Sequence, residues 1–308
     1  VSRKAVVDVG SNSVLLLVEE QIATGWKPIL EKTWVTALGA GTKETGLLSD
    51  AGIQRTLAAL KEAFTLAHQA EAESIIAAAT MAARIARNTQ DFQNQAQSQE
   101  TPVSVLTGEQ EAQLGFEAVA YDAQFETQNL ISIIDVGGQS TELVTAQRGQ
   151  PWQIFFRRSF GIGSLALRGA SLKPECPSAP EILQAVVDID DTIGLCYRKD
   201  KCGAVITLGA TGTNLVTIRE HMADWEPDKV HGAWLDFGEI SCAAGDLMKL
   251  TEAERSKIVG MEPGREATLP AGVLILERFL DAIGAPGCYV SVRGWRHALL
   301  ERGLPKES

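Results

Sequence analysis

The amino-acid sequence predicts an α/β protein of two lobes, each a mixed sheet flanked by helices, with an active-site cleft between them. Three observations lead there. "VVDVGSNSVLLLV" at Val6 to Val18 and "IIDVGGQSTELV" at Ile133 to Val144 repeat one pattern: apolar strand, Asp-Val-Gly turn, small polar residues, second apolar strand. The copies start about 127 residues apart, too far for a solenoid repeat and close to the size of an ordinary domain. After each copy, strand-like and helix-like segments alternate, the pattern that layers helices on sheets.

In the first half, Lys27 to Leu38 reads as extended. "SDAGIQRTLAALKEAFTLAHQA" follows as a helix, with Ser49 as its N-cap and Ile53, Leu57, Leu60 and Phe64 at helical spacing. Then come a β-run "SIIAAAT", helical "MAARIARN", a strand at Val103 to Leu106 and a helix from Gly108 to Tyr121. The polar stretch "YDAQFETQN" at Tyr121 to Asn129 marks the boundary, giving lobes 1–125 and 126–308. The second half carries strands at Ile131 to Asp135, Thr141 to Val144 and Gln153 to Arg158. A helix near Ile182 to Leu195, the strand "AVITLG" and a helix opening at Thr211 follow.

Composition narrows the function. The 308 residues are 45% hydrophobic and 22% charged, which suits a globular chain with a sizeable core. No apolar run approaches the roughly 20 residues of a membrane span, and the amino terminus shows no h-region, so a cytoplasmic protein is expected. The five cysteines (Cys176, Cys196, Cys202, Cys242, Cys288) are scattered and lack a Cys-x-x-Cys pair, against a disulfide framework or a zinc site. A net charge of -11 disfavours nucleic acid and anionic membrane as partners. A phosphate-rich substrate would have to be met locally, by basic side chains, metal ions or backbone N–H groups.

The turns supply such groups. Gly10-Ser11-Asn12-Ser13 and Gly137-Gly138-Gln139-Ser140-Thr141 occupy tight strand connections, where glycine lets the backbone approach a ligand and successive N–H groups form an anion nest. Either turn alone reads equally well as an ordinary hairpin. Their duplication, each behind an aspartate (Asp8, Asp135), points to two donor-lined turns gripping one phosphate chain while the carboxylates hold a divalent cation. Glu142 either joins that metal shell, orients a water, or faces solvent as a strand glutamate. A third cluster, "LGATGTN" at Leu208 to Asn214, presents Gly209, Gly212 and Thr213 at a helix N-terminus, a favourable place for an anion. It matches neither a Walker A loop nor a Rossmann fingerprint.

The ordered set of these segments resembles the exopolyphosphatase and guanosine pentaphosphate phosphohydrolase (Ppx/GppA) family, whose two lobes are actin-like, with a ribonuclease H-like fold. Its phosphate motifs are similar to "DVGSNS" at Asp8 to Ser13 and "DVGGQSTEL" at Asp135 to Leu143. "TMAARIARN" at Thr80 to Asn88 resembles a Thr-x-Ala-x-Arg segment, and "TGEQEAQL" at Thr107 to Leu114 a Gly-x-Glu-Glu-Ala helix start. The resemblance implies hydrolysis of a terminal phosphoanhydride in polyphosphate or guanosine pentaphosphate, with Mg²⁺ or Mn²⁺ and in a protein that can form a homodimer. Guanosine tetraphosphate is a related ligand. It makes Glu111 the base that activates water and Arg84 a phosphate contact. By themselves, Glu111 reads equally as a helix N-terminal acid and Arg84 as a solvated helix arginine.

The chain departs from the family pattern at Leu15 and Ala37, at Gln139 and at Ser164, several of them positions where relatives carry charge. A long polyphosphate should therefore be held poorly, and short chains are the expected substrate. One alternative is a sensor that binds such a ligand without turning it over. Another is an ATPase of the actin or sugar-kinase kind.

Overall fold

Each Asp-Val-Gly segment joins two antiparallel strands, as the repeat predicts. The computed structural model describes residues 2–23, 25–149, 151–194 and 202–303. Its first sheet begins with β1 (Arg3–Val9) and β2 (Ser13–Ile22), paired with Val9 opposite Val14, and continues outward to β3 (Gly25–Val35). After α1 (Thr42–Thr45) comes α2 (Asp50–Gln69), which starts where Ser49 Oγ accepts from the Gly52 N–H at 3.1 Å. The chain returns through β4 (Ser74–Ala79), parallel to β1, then α3 (Met81–Ile85), α4 (Thr89–Ser98), β5 (Ser104–Val105) and α5 (Gly108–Ala120). The strand order is β3-β2-β1-β4-β5.

Alternation along the strands decides which side is core. Ala5, Val7 and Val9 of β1 and Val14, Leu16 and Val18 of β2 share one cluster with Ile53, Leu57, Leu60 and Phe64 of α2. Each large aliphatic side chain buried there contributes about 1.5–3 kcal/mol.

The second sheet repeats the first. β6 (Leu130–Val136), β7 (Thr141–Gln147) and β8 (Gln153–Phe160) form the antiparallel part, followed by α6 (Ser164–Ala170) and α7 (Ala179–Ile193). Next come β9 (Ala204–Leu208), α8 (Ala210–Arg219), α9 (Pro227–Val230), β10 (Trp234–Asp236), α10 (Phe237–Met248) and α11 (Glu252–Arg255). α12 (Leu269–Ile283) and β11 (Gly287–Val290) complete it, in the order β10-β11-β9-β6-β7-β8. α12 is apolar nearly all round because α6, α7, α8 and α10 all pack on it. A last helix, α13 (Trp295–Arg302), packs on β1.

The chain divides into two compact units: residues up to Leu114 together with those from Trp295 onward, and Gly115–Gly294. This differs from the expected division at 125/126. The polar stretch at Tyr121 to Asn129 is no linker: Asp122 Oδ1 accepts from the Gln124 N–H at 2.9 Å, opening a 3-10 turn that buries Phe125. The unit boundary falls inside uninterrupted helix α5 instead.

Among the described residues, Cys176, Cys202, Cys242 and Cys288 are free thiols, and burial pushes Cys288 up to about 12. Leu195 and Cys196 lie outside the described residues. No helix among the described residues is long and apolar enough to cross a membrane.

Candidate active site

In the first unit, Val9, Ala79 and Val105 lie side by side at the carboxyl ends of parallel strands β1, β4 and β5. The Gly10–Ser13 turn, the segment from Thr80 to Arg84 and the start of α5 all leave from this edge, where α/β sheets commonly bind ligands. The turn closes with the Gly10 N–H on Ser13 O at 2.9 Å. Two further carbonyls are taken: Asn12 O accepts from the Thr36 and Ala37 N–H groups at 3.0 and 2.9 Å, and Ser11 O accepts from the Gly39 N–H at 2.8 Å. Ala37 makes its bond from the left-handed region, φ 49°.

The donors of the turn are differently placed. Among the described residues the N–H groups of Ser11 and Asn12, together with Asn12 Nδ2 and Ser13 Oγ, make no hydrogen bond. All three residues are buried. A buried donor left unsatisfied costs about 1–3 kcal/mol, so this turn is suited to an acceptor such as an oxyanion oxygen.

Beside it, α5 opens with a reciprocal cap: Thr107 Oγ1 accepts from the Gln110 N–H at 3.1 Å, while Gln110 Oε1 accepts from the Thr107 N–H at 2.9 Å. The cap fixes Glu111 on the first turn, its side chain 10% exposed. There Arg84 Nη1 donates to Glu111 Oε2 at 3.1 Å and to Leu106 O at 2.8 Å. Neither residue is therefore the freely solvated surface charge that each could have been. Asp8 lies opposite Leu15 in the strand register.

The second unit builds the same edge from β6, β9 and β11, with Asp135 beside Leu208 and Thr207 beside Val290. The Gly137 N–H closes its turn on Ser140 O at 2.9 Å. Here the start of α6 holds the carbonyls: the Ser164 N–H donates to Gly137 O at 2.9 Å, and those of Leu165 and Ala166 donate to Gly138 O at 2.8 and 3.0 Å. Ser164 thus serves as a brace for the turn. The N–H groups of Gly138 and Ser140 make no hydrogen bond among the described residues, and Gln139 is buried.

Burial pushes the Asp135 carboxyl up to about 6. Glu142 stands directly opposite it in register and is buried, with Oε1 accepting from Ser159 Oγ at 2.6 Å, so the solvent-facing alternative does not hold. Gly209, at φ 78°, lets the start of α8 approach so closely that a Cβ there would meet Asp135 Oδ1 at 3.1 Å.

Other expected ligand groups work inside the protein. Thr141 Oγ1 donates to Ile162 O at 2.7 Å and Thr213 Oγ1 to Ala210 O at 3.3 Å. Gly212 is needed for packing, since a Cβ would lie 2.5 Å from Thr207 Cγ2. Sequence reading missed the Leu106 carbonyl and Met81, whose Sδ accepts from Arg84 Nη2 at 3.3 Å, and both bracing segments. The glycine before a small-residue helix start in "GIGS" was the available signal for one brace.

Among the described residues no three His, Cys, Asp or Glu side chains cluster as a metal site. A magnesium ion that takes most of its ligands from water and phosphate needs only one or two carboxylates. The desolvated Asp135 carboxyl, with Glu142 opposite, fits that requirement.

Two sheets of matching order, each led by a strand-turn-strand and each ending its parallel strands at donor-lined loops, define an α/β protein of two like-built units. The Ppx/GppA phosphatase family model matches residues 17–307, and the chain belongs to that family. It is 24% identical over 90% of its length to exopolyphosphatase 2 of Mycobacterium tuberculosis, covering 89% of that protein. It is 25% identical over 94% of its length to the bifunctional 3-dehydroquinate synthase/phosphatase of Fusobacterium nucleatum, but spans only 44% of that longer protein. A solved Ppx/GppA family member from Aquifex aeolicus superposes with a TM-score of 0.79 at 29% identity, covering 97% of this chain and 96% of that one.

Proposed function

We propose that this protein is a phosphohydrolase that releases the terminal phosphate from short inorganic polyphosphates or from guanosine pentaphosphate. The observation that carries the proposal is the Arg84–Glu111 pair, 3.1 Å apart, at the same strand edge as a turn whose buried donors have no acceptor among the described residues. Phosphoryl transfer asks for positioning and charge neutralisation more than covalent chemistry, and these residues supply both.

In this reading the turn N–H groups and Arg84 bind phosphate oxygens, and Glu111 takes the proton of a water. The water oxygen bonds to the terminal phosphorus. The bridging P–O bond breaks, and its electron pair leaves on the shortened chain. The proton passes through Glu111 to solvent. Asp135 with Glu142 in the second unit and, separately, Asp8 in the first are carboxylates that would each suit magnesium or manganese. Such an ion neutralises phosphate charge.

The test is phosphate release from tripolyphosphate, long polyphosphate and guanosine pentaphosphate, with Mg²⁺ or Mn²⁺, by wild type and Glu111→Gln. Turnover of a short substrate that depends on Glu111 supports the proposal. Tight binding with no release from any substrate overturns it in favour of a sensor, a reading that draws on the apolar Leu15 and on Ala37 and Ser164 serving as braces.

A further inference from the structure

Ala37 is an alanine in the left-handed region, φ 49°. Such a conformation persists only where the surroundings impose it, and it gathers at functional sites. Here it aims the Ala37 N–H at Asn12 O, 2.9 Å away, beside the Thr36 N–H at 3.0 Å. What imposes it lies further along the chain. Overlapping hydrogen bonds run from Ala37 to Gly46: the Ala40 N–H donates to Ala37 O at 3.1 Å, Thr42 to Gly39 O at 3.2 Å, Thr45 to Gly41 O at 3.0 Å and Gly46 to Thr42 O at 2.7 Å. Each turn shares residues with the next. The far end is then pinned to Arg87 and Asn88. The Arg87 N–H and Nη2 donate to Gly46 O and Thr45 O at 3.0 and 3.1 Å. Asn88 Nδ2 donates to Leu48 O while Asn88 Oδ1 accepts from the Leu48 N–H, both at 2.9 Å.

We propose that residues 36–48 form a strut, and that Asn88 at its far end is a positioning residue for anion binding at the Gly10–Ser13 turn. Held at both ends, the strut keeps Ala37 in its strained conformation. The Thr36 and Ala37 N–H groups then hold the Asn12 carbonyl, and the Ser11 and Asn12 N–H groups are left as donors for the ligand. Asparagine suits the far pin because its amide carries a donor and an acceptor together, whereas an ionised aspartate only accepts. The coupling runs through contiguous hydrogen bonds with two held ends. The strut rests on the phosphate-binding part of the hydrolase reading, and turnover is not needed to see it.

Asn88→Ala frees the far end. Calorimetry with tripolyphosphate should then show a Kd about tenfold above wild type. In steady-state kinetics the same variant should raise KM and leave kcat within about threefold, because it disturbs the holding of substrate rather than the chemical step. Amide exchange should quicken at Thr36, Ala37 and Gly39, the three donors to the turn. Asn88→Asp, which keeps the acceptor and loses the donor, should raise Kd about threefold and serves if the alanine variant does not fold. Glycine takes positive φ without a Cβ penalty, so Ala37→Gly should bind within about twofold of wild type. The double variant Ala37→Gly/Asn88→Ala should recover to within about threefold. As a control, Gln93→Ala removes another side-chain bond to the main chain, Gln93 Nε2 to Val103 O at 2.9 Å. It should lower the melting temperature and leave Kd unchanged.

Unchanged tripolyphosphate affinity in both Asn88 variants overturns the strut. So does an equal loss of affinity in Gln93→Ala, which would mark the effect as lost stability alone, or a double variant that binds no better than Asn88→Ala. A fall in kcat with KM unchanged overturns it too, as does a wild type that binds no tripolyphosphate. Wild type that binds tripolyphosphate and releases no phosphate removes the hydrolase reading and leaves the strut standing.

Discussion

The two strand-turn-strand segments differ most in what faces their aspartates: Asp8 stands opposite Leu15, Asp135 opposite Glu142. Around that difference the two units carry different side chains at their strand edges. The first unit pairs its turn with an arginine and a candidate base at one strand edge. The second sets a buried carboxylate against another and braces its turn with the start of a helix. A duplicated fold therefore does not imply a duplicated role: the strand order is shared, while the side chains at the strand ends are not.

The sharpest way to break this division is to remove the base. Glu111→Gln should lower kcat about 10³-fold, within the usual range for general acid–base groups, with a melting temperature close to wild type. A kcat within about threefold of wild type for Glu111→Gln would show instead that Glu111 is not the base.

In metal-free buffer Asp135→Asn tests the other half of the comparison through stability. The folded protein raises this carboxyl from 3.8 to about 6, so it binds the proton more tightly than the unfolded chain does. Ionised Asp135 consequently subtracts stability at pH values above 6, and the loss fades as pH falls toward 3.8. The asparagine variant should be more stable at pH 8 by up to about 3 kcal/mol, with no advantage near pH 4. Equal stability of the two proteins at pH 8, by chemical denaturation, would refute the desolvated carboxylate.

The braces can be compared through their glycines. A Cβ on Gly163 would lie 2.5 Å from Gly138 C, against 3.0 Å from Gly10 to Ser13 O. Gly163→Ala should therefore cost about 1–3 kcal/mol and weaken anion binding, with Gly10→Ala costing less. The reverse ranking in thermal melts would mean that α6 is not what holds the second turn.

The smallest effects separate structural hydroxyls from ligand hydroxyls. Thr141→Val removes the bond to Ile162 O and should cost about 1 kcal/mol. Ser13→Ala removes a buried hydroxyl that makes no hydrogen bond among the described residues, so it should raise the stability of the unliganded protein by about 1 kcal/mol and weaken tripolyphosphate binding. Unchanged binding by Ser13→Ala would take that hydroxyl out of the site.

The sequence was most readable where local chemistry decides structure. Both Asp-Val-Gly turns, the Ser49 cap and the apolar spacing of α2 depend on residues within a few positions of one another. The unit boundary was not readable, because α5 crosses it without a break and the polar stretch after it is pinned by Asp122. The return of α13 to β1 is a long-range contact with no local signature. The bracing of turn carbonyls by 36–39 and by the start of α6 escaped for a related reason: it is made of main-chain atoms, which every residue carries.

That last feature has an evolutionary side. Since Ser11 O, Asn12 O and Ser13 O of one turn and Gly137 O, Gly138 O and Ser140 O of the other accept hydrogen bonds from the protein, the N–H groups of Ser11, Asn12, Gly138 and Ser140 are left as donors that side-chain substitution can hardly erase, even in a chain of net charge -11. A site of this kind drifts slowly in shape and quickly in decoration. A single methyl group added at the wrong glycine, by contrast, should remove it in one step.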